Sequence, residues 1–192
     1  MVSDVSNRFL KILSELLKTN FMKVMDHATA YNELSKRIHS MEKNKLSELK
    51  DSEENNMEEY NELIALRERL DARTQADEED EEDFTSISYS MKICIRILRF
   101  IQLLCENHNI KLQDHLREQV NREGVTLGVN IDIPTTISNM LGIFAKEANI
   151  DIMDLGGQII DTLIELIQGP CEGNQKALIS AKIIDYCRDF IA

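Results

Sequence analysis

Hydrophobic and polar positions alternate with a helical period through most of the chain. Near the N-terminus, Ser6 is a plausible N-cap for a helix whose apolar face contains Phe9, Ile12, Leu13, Leu16 and Leu17. We predict that this helix ends at about Asn20 and that a longer helix follows over residues 21–50. Apolar residues are sparse in this second helix, which suggests an arm that rests on something outside its own fold. A short helix around Tyr60 and Leu63 comes next.

Beyond residue 84 the apolar positions become denser. The pattern predicts five short amphipathic helices, over about Ile93–Asn107, Ile110–Val120, Pro134–Phe144, Ile152–Leu166 and Leu178–Phe190. Amide side chains at residues 107–109 suit a C-cap for the first of these helices, and Gly169-Pro170 stops the fourth. Strand patterns are nearly absent. The fold class is therefore predicted to be all-α, an armadillo-like stack of antiparallel helix pairs with an N-terminal helical arm.

An uninterrupted acidic run divides these two regions. Residues 77–83 are seven acidic side chains in succession, a composition that repels itself and stays solvated. A calcium-buffering role is the alternative, but such a run lacks the fixed oxygen cage that gives calcium affinity. We therefore predict an N-terminal helical arm or subdomain over 1–76, a flexible acidic linker over 77–83 and a helical domain over 84–192.

Charge and composition exclude several classes of function. The 192-residue chain has 22 basic and 34 acidic residues, a net charge of −12, which argues against a nucleic-acid partner. The N-terminus has no pattern of a secretory signal. The most apolar window, Ile93–Cys105, is too short to cross a membrane, which takes about 20 apolar residues, and it contains Arg96 and Arg99. The four cysteines favour reduced thiols in a cytosolic setting, with Cys94 and Cys187 at apolar-face positions.

Two short segments carry the candidate chemistry. Leu103–Asn109 and Glu165–Gln175 each place a carboxylate, flanked by amide side chains, at the predicted end of a helix. Glu165 and Gln168 are one turn apart, so their oxygens can point at one spot, although a polar stripe is also typical of any solvated helix face. Calcium takes about six to eight oxygen ligands, more than Glu106, Glu165 and Gln168 supply. Such a site would need ligands from another domain or chain.

Other chemistries are less favoured. A zinc site would use Cys105, His108, Cys171 and Cys187, but their spacing is not a recognised ligand pattern and buried thiols are the simpler interpretation. His108 is a poor calcium ligand, so a capping or hydrogen-bonding role is favoured. The sequence has no glycine-rich phosphate loop, no nucleophile elbow and no locally paired His with Ser or Cys, so we do not expect an enzyme.

Both segments resemble a known family. Arg96–Asn109, followed by Leu112–Arg117, closely resembles the RIH-associated domain of the inositol trisphosphate and ryanodine receptors. Ile167–Gln175 resembles the second characteristic segment of that domain, in the same order and at a comparable separation. The resemblance covers about residues 84–192. Asn107 follows the inositol trisphosphate receptor version more than the Gly found in ryanodine receptors.

The resemblance implies a function and a site. The family consists of tetrameric, ligand-gated calcium release channels, in which this domain is an armadillo-like cytosolic piece close to the pore module. In the family, two glutamates at these motif positions hold the activating calcium with nearby His and Gln support, and a backbone carbonyl from the tail after the pore completes the site. The implied residues here are Glu106 and Glu165 as calcium ligands of a partial site, with His108 and Gln168 as supporting neighbours.

The resemblance also implies partners and a location. The expected partners are the pore module and post-pore tail of the same channel and neighbouring subunits of a tetramer, on the cytosolic face of the endoplasmic or sarcoplasmic reticulum. Contact with the membrane would come only through channel portions that this sequence lacks, so we expect a piece of a channel or a relative that lost the channel. The alternative is a helical protein-interaction scaffold without an ion-binding role.

Overall fold

The computed structural model describes residues 2–47, 57, 60–69, 86–120, 125 and 130–191. These residues confirm the predicted all-α class. The helices are α1 (Val2–Ser47), α2 (residues 60–69), α3 (Ile87–Cys105), α4 (Ile110–Arg117), α5 (Ile133–Glu147), α6 (Met153–Ile167), α7 (Glu172–Ser180) and α8 (Ile183–Ile191), with a 3-10 turn at Ile150–Ile152. The predicted acidic linker at 77–83 lies outside the described residues, and the domain boundaries on either side of it stay predictions.

α1 is one continuous helix, so the predicted end near Asn20 is wrong. Its sequence contains neither Gly nor Pro, the residues that most strongly interrupt a helix. The Asn20 side chain donates a 2.8 Å hydrogen bond to the backbone carbonyl of Leu16, one turn earlier in the same helix. This amide therefore bonds to the helix that it was expected to terminate.

The first half of α1 packs into the main core. Leu17, Phe21 and Val24 are fully or almost fully buried and belong to the same apolar cluster as residues of α3, α5 and α6. Farther along, Leu34 and Ile38 form a smaller cluster with Leu63 of α2. For the described residues, the interpretation of residues 21–50 as an arm resting outside its own fold is therefore wrong, because Met25, Leu34 and Ile38 are buried within this chain.

α3 lies antiparallel to α1. The rings of Phe9 and Phe100 meet edge to face at 6.1 Å, whereas the Cys94 thiol lies 3.8 Å from the Leu17 carbonyl oxygen. Residue numbers thus rise along one helix as they fall along the other. α3 also packs along α6, where the buried Thr162 hydroxyl lies 3.2 Å from the backbone carbonyl of Leu98.

The C-terminal region contains two helices where the pattern predicts one. α7 and α8 are separated at Lys182, whose φ of 61° is left-handed and incompatible with a continuous right-handed helix. α8 then packs against α5, with the rings of Phe144 and Phe190 5.8 Å apart. The break changes which positions face inward, so Cys187 is exposed and its predicted place on a buried apolar face is wrong.

The predicted start of α5 and end of α6 agree with the structure, whereas α3 begins at Ile87, earlier than predicted, and α4 ends at Arg117, before the predicted Val120. Pro134 stands in the first turn of α5, after Asp132, whose side chain accepts a 2.9 Å hydrogen bond from the Thr135 backbone N–H. α6 ends at Ile167, just before Gly169-Pro170. Among the described residues, no helix is long and apolar enough to cross a membrane.

Candidate metal centre

Glu106 directly follows the last residue of α3. Its side chain is exposed, and its nearest cation is Arg99, with 3.9 Å between Nη2 and Oε1. An exposed pair at this distance contributes little stability, so the Glu106 carboxylate is only weakly engaged within the chain. Its position at the carbonyl end of a helix also places it where partial negative charge accumulates.

A tight turn brings the first segment against the second. Asn107 and His108 both have left-handed backbones, with φ of 59° and 56°. Asn and Gly tolerate this conformation best, which gives a physical reason for the Asn or Gly alternative at residue 107. His108 packs on Gly169, where an added Cβ would lie only 3.0 Å from the His108 Cβ. The amide cap predicted for α3 is corrected here, because the Asn109 side chain accepts from the Leu112 N–H and caps the start of α4.

Glu165 lies in the last turn of α6. The residue is half-buried, and within the described part of the chain its buried Oε2 has no hydrogen-bond partner. Burial, with added repulsion from the charge of Glu165 and from Cys171, raises the pKa of the Cys105 thiol to about 12. Cys105 immediately precedes Glu106, so the structure brings the Glu165 side chain to the end of α3.

Gln113 anchors the end of α6 to α4. This fully buried side chain donates from Nε2 to the carbonyl oxygens of Glu165 at 2.7 Å and Gln168 at 3.0 Å. The equally buried Asn174 donates to the carbonyls of Leu166 at 2.8 Å and Gln113 at 3.2 Å. These bonds satisfy carbonyls that the end of a helix leaves without partners. They fix the backbone that carries Glu165.

Arg117 joins α4 to the start of α7. Its Nε donates to the Asn174 Oδ1 at 3.1 Å, and its Nη2 forms a 2.9 Å ion pair with Asp114. The hydrogen bond to Asp114 is the largest of the influences that raise the pKa of Arg117. A Cβ at Gly173 would lie 2.6 Å from the Arg117 Nη2, so a larger residue there would displace the guanidinium from its present position. Each end of the second segment is thus bonded to α4.

Gln168 contributes its backbone to this arrangement, and its predicted supporting role stays a prediction. Its side chain is exposed, and its backbone carbonyl is what Gln113 holds. Gln175, farther along, donates to the carbonyls of Ile167 at 3.1 Å and Gly169 at 3.0 Å. Sequence reasoning did not identify Gln113, Asn174 or Gln175 as organising residues. The available signal was a polar Gln113 one turn before Leu116, on what proves to be the buried face of α4.

Comparisons with known proteins identify the family of the chain. The family model described as "RyR and IP3R Homology associated" matches residues 88–191. The chain belongs to this RIH-associated family. It is also similar to the inositol 1,4,5-trisphosphate receptor itr-1 of Caenorhabditis elegans, with 38% identity over 89 residues. That match covers 43% of this chain and 3% of the receptor, so the chain spans only a small part of this curated relative. No solved structure matches.

The residues of this RIH-associated chain fit a calcium ion in part. The unpartnered Glu165 Oε2 is the kind of hard oxygen that calcium binds, and a second carboxylate, Glu106, stands at the adjoining helix end. Among the described residues, no three His, Cys, Asp or Glu side chains form a group that could hold a metal by themselves. The set therefore lacks most of the about six to eight oxygens typical of calcium.

Proposed function

We propose that this chain is a regulatory region of an intracellular calcium release channel and contributes part of its activating calcium site. Glu106 and Glu165 are the carboxylate ligands, with His108 and Gln168 as supporting neighbours. The observation that carries the proposal is the buried, unpartnered Oε2 of Glu165 beside the end of α3. Membership of the RIH-associated family supports it independently.

The buried oxygen supports a cation because leaving it unpartnered is costly. A buried acceptor without a hydrogen bond costs about 1–3 kcal/mol, more if it is charged. Calcium would supply the positive charge that this carboxylate lacks within the chain. Both glutamates also stand at the carbonyl ends of helices, where the helix dipole favours a cation.

The chain's own contribution is to hold the two helix ends in register. Gln113 fixes the carbonyls at residues 165 and 168, and the packing of His108 on Gly169 joins the α3–α4 turn to the end of α6. A carboxylate on an anchored backbone loses less entropy when it binds a ligand. The arrangement thus favours a pre-positioned half of a site.

The other half is proposed to come from the pore module and post-pore tail of the same channel, within a tetramer on the cytosolic face of the reticulum. A site divided between two bodies binds its ion only when they are docked. Ion binding therefore shifts the equilibrium toward the docked state, by an amount equal to its differential affinity. In this way, calcium binding at this site would shift the equilibrium of a channel gate located elsewhere.

The test is made in a whole channel that contains this region. Glu106→Gln and Glu165→Gln are each expected to raise the calcium concentration for half-activation at least tenfold, measured by single-channel recording. Glu172→Gln, an exposed carboxylate on α7 paired with Lys176, is the matched control and should leave activation unchanged. Unaltered calcium sensitivity in both site variants would overturn the proposal.

A further inference from the structure

An exposed apolar strip crosses α1 and α3, away from the candidate metal centre's Glu165. On α1 it contains Val5, Phe9, Ile12 and Leu16, which are 48% to 68% exposed. Spacings of four, three and four residues place all four on one helix face. On α3 it continues through Phe100 and Leu103, which are 39% and 48% exposed. We call these six residues the α1–α3 strip.

The two halves of the strip form one surface. Phe9 and Phe100 touch edge to face, and the antiparallel packing places Phe100 and Leu103 beside the Val5–Phe9 end of the α1 row. From Val5 to Leu16 the strip runs about 16 Å along α1, at about 1.5 Å per residue, which is three helical turns. Scattered apolar residues on a surface need no explanation, but a continuous two-helix strip marks an interaction site.

The α3 side of the strip is positively charged. α3 contains Lys92, Arg96 and Arg99 and no acidic residue, in a chain whose net charge is −12. Arg96 and Arg99 stand one turn before Phe100 and Leu103, so each cation lies next to an apolar member of the strip. Within the described part of the chain, Lys92 and Arg96 form no ion pair, and Arg99 has only the 3.9 Å contact with Glu106.

We infer that the α1–α3 strip docks an acidic amphipathic helix of a partner protein. The apolar face of that helix would cover the strip over three turns, and its carboxylates would face Lys92, Arg96 and Arg99. A groove between two helices that takes a third helix is a common recognition mode, and the opposite charges select the partner. The inference does not depend on calcium binding.

Two other occupants fit the charges less well. A second copy pairing through the same strip would place the cationic side chains of the two α3 helices against each other, which is unfavourable. An anionic membrane would attract Lys92, Arg96 and Arg99. It would repel the acidic remainder of the chain, since a membrane surface extends beyond the strip. A single acidic helix would contact only the strip and the cationic side chains of α3, so it avoids both of these repulsions.

The experiment measures fluorescence anisotropy of labelled 18-residue peptides titrated with the full chain. The probe has Leu on one helix face and Glu on the other, and a second peptide has Lys in place of Glu. The Leu/Glu peptide is expected to bind at least tenfold more tightly than the Leu/Lys peptide, and more weakly as salt increases. The double variant Arg96→Glu/Arg99→Glu should lose at least tenfold of this affinity.

Further variants test the apolar contacts of the strip and supply a control. Phe100→Ser/Leu103→Ser is expected to lower the affinity at least tenfold, with circular dichroism verifying that the helices persist. Lys176→Glu, an exposed charge reversal on α7, should change nothing. The inference is overturned if the Leu/Glu peptide does not bind or if both peptides bind equally. It is also overturned if the strip variants instead abolish dimerisation or sedimentation with phosphatidylserine vesicles.

Discussion

The side-chain nitrogen of Gln113 lies 2.7 Å from the backbone carbonyl oxygen of Glu165, which is 52 residues later in the chain. The same nitrogen is 3.0 Å from the carbonyl of Gln168. One buried amide thus holds the backbone on both sides of the last turn of α6. The position of the proposed calcium ligand therefore depends on a residue in a different helix.

Replacing Gln113 should destabilise the chain. Gln113→Ala leaves two carbonyls without their donor and opens a cavity, so the free energy of unfolding should fall by about 2–4 kcal/mol. Gln168→Ala, which removes an exposed amide from the same site, should change it by less than about 0.5 kcal/mol. Urea denaturation followed by circular dichroism measures both. Equal effects of the two variants would contradict the anchoring role of Gln113.

Neutralising Glu165 should have the opposite effect in calcium-free solution. Glu165→Gln removes a charge whose Oε2 is buried without a partner, so we expect the free energy of unfolding to rise by up to about 1 kcal/mol. Glu106→Gln, at an exposed position, should leave stability within about 0.5 kcal/mol. The measurement is thermal or urea unfolding in a chelator. A clear loss of stability in Glu165→Gln would mean that the carboxylate is already satisfied within the chain.

Adjacent glycines of α6 should respond oppositely to alanine. A Cβ at Gly156 would lie 2.5 Å from the buried ring of Phe144, so Gly156→Ala should cost about 1–3 kcal/mol. A Cβ at Gly157 would meet nothing within 4 Å, so Gly157→Ala should gain up to about 1 kcal/mol from the better helix propensity of alanine. The difference in melting temperature between the two variants is the readout. Destabilisation by both would place another element against Gly157.

The thiols should differ in reactivity. Burial raises the pKa of Cys94 from 9.0 to about 12, and Cys105 is raised to about the same value, whereas Cys187 is exposed. Since the thiolate is the reactive form, iodoacetamide at pH 8 should modify Cys187 well before Cys94 and Cys105. Mass spectrometry of proteolytic fragments gives the order. Early modification of Cys94 would show that α3 opens away from α1.

The same shifts predict a loss of stability in alkali. Below pH 9 the thiols are protonated in both the folded and the unfolded chain. The stability that these thiols contribute to the folded chain is therefore fully present. Between pH 9.0 and about 12 only the unfolded thiols ionise, and the free energy of unfolding should fall until the folded thiols also titrate. Cys94→Ala should reduce this slope. An unchanged slope would indicate that other groups cause the decline.

Sequence patterns predicted some elements well and others poorly, for physical reasons. The end of α6 before Gly169-Pro170 was predictable because the signal is local. The continuity of α1 through Asn20 had a local signal in the absence of Gly and Pro, but Asn20 resembled a helix end; the break at Lys182 depends on a single left-handed residue with no compositional signal.

The candidate site, too, was predictable from the sequence only in part. Carboxylates and amides at helix ends marked the two segments, and the resemblance named Glu106 and Glu165. The contact from Gln113 to the backbone of α6 has only a weak sequence signal, because a lone glutamine on a short helix resembles a surface residue. Only the packing of α4 shows that it is buried.

The bonds from Gln113 and Asn174 to the end of α6 have an evolutionary consequence. Gln113 bonds the carbonyls of Glu165 and Gln168, and Asn174 bonds those of Leu166 and Gln113, so a mutation at either position weakens the contact between α4 and the end of α6. Substitutions that survive at residue 113 should therefore arise together with compensating changes near residue 174. α4 and the second segment are therefore expected to change together, even though residues 118–164 lie between them.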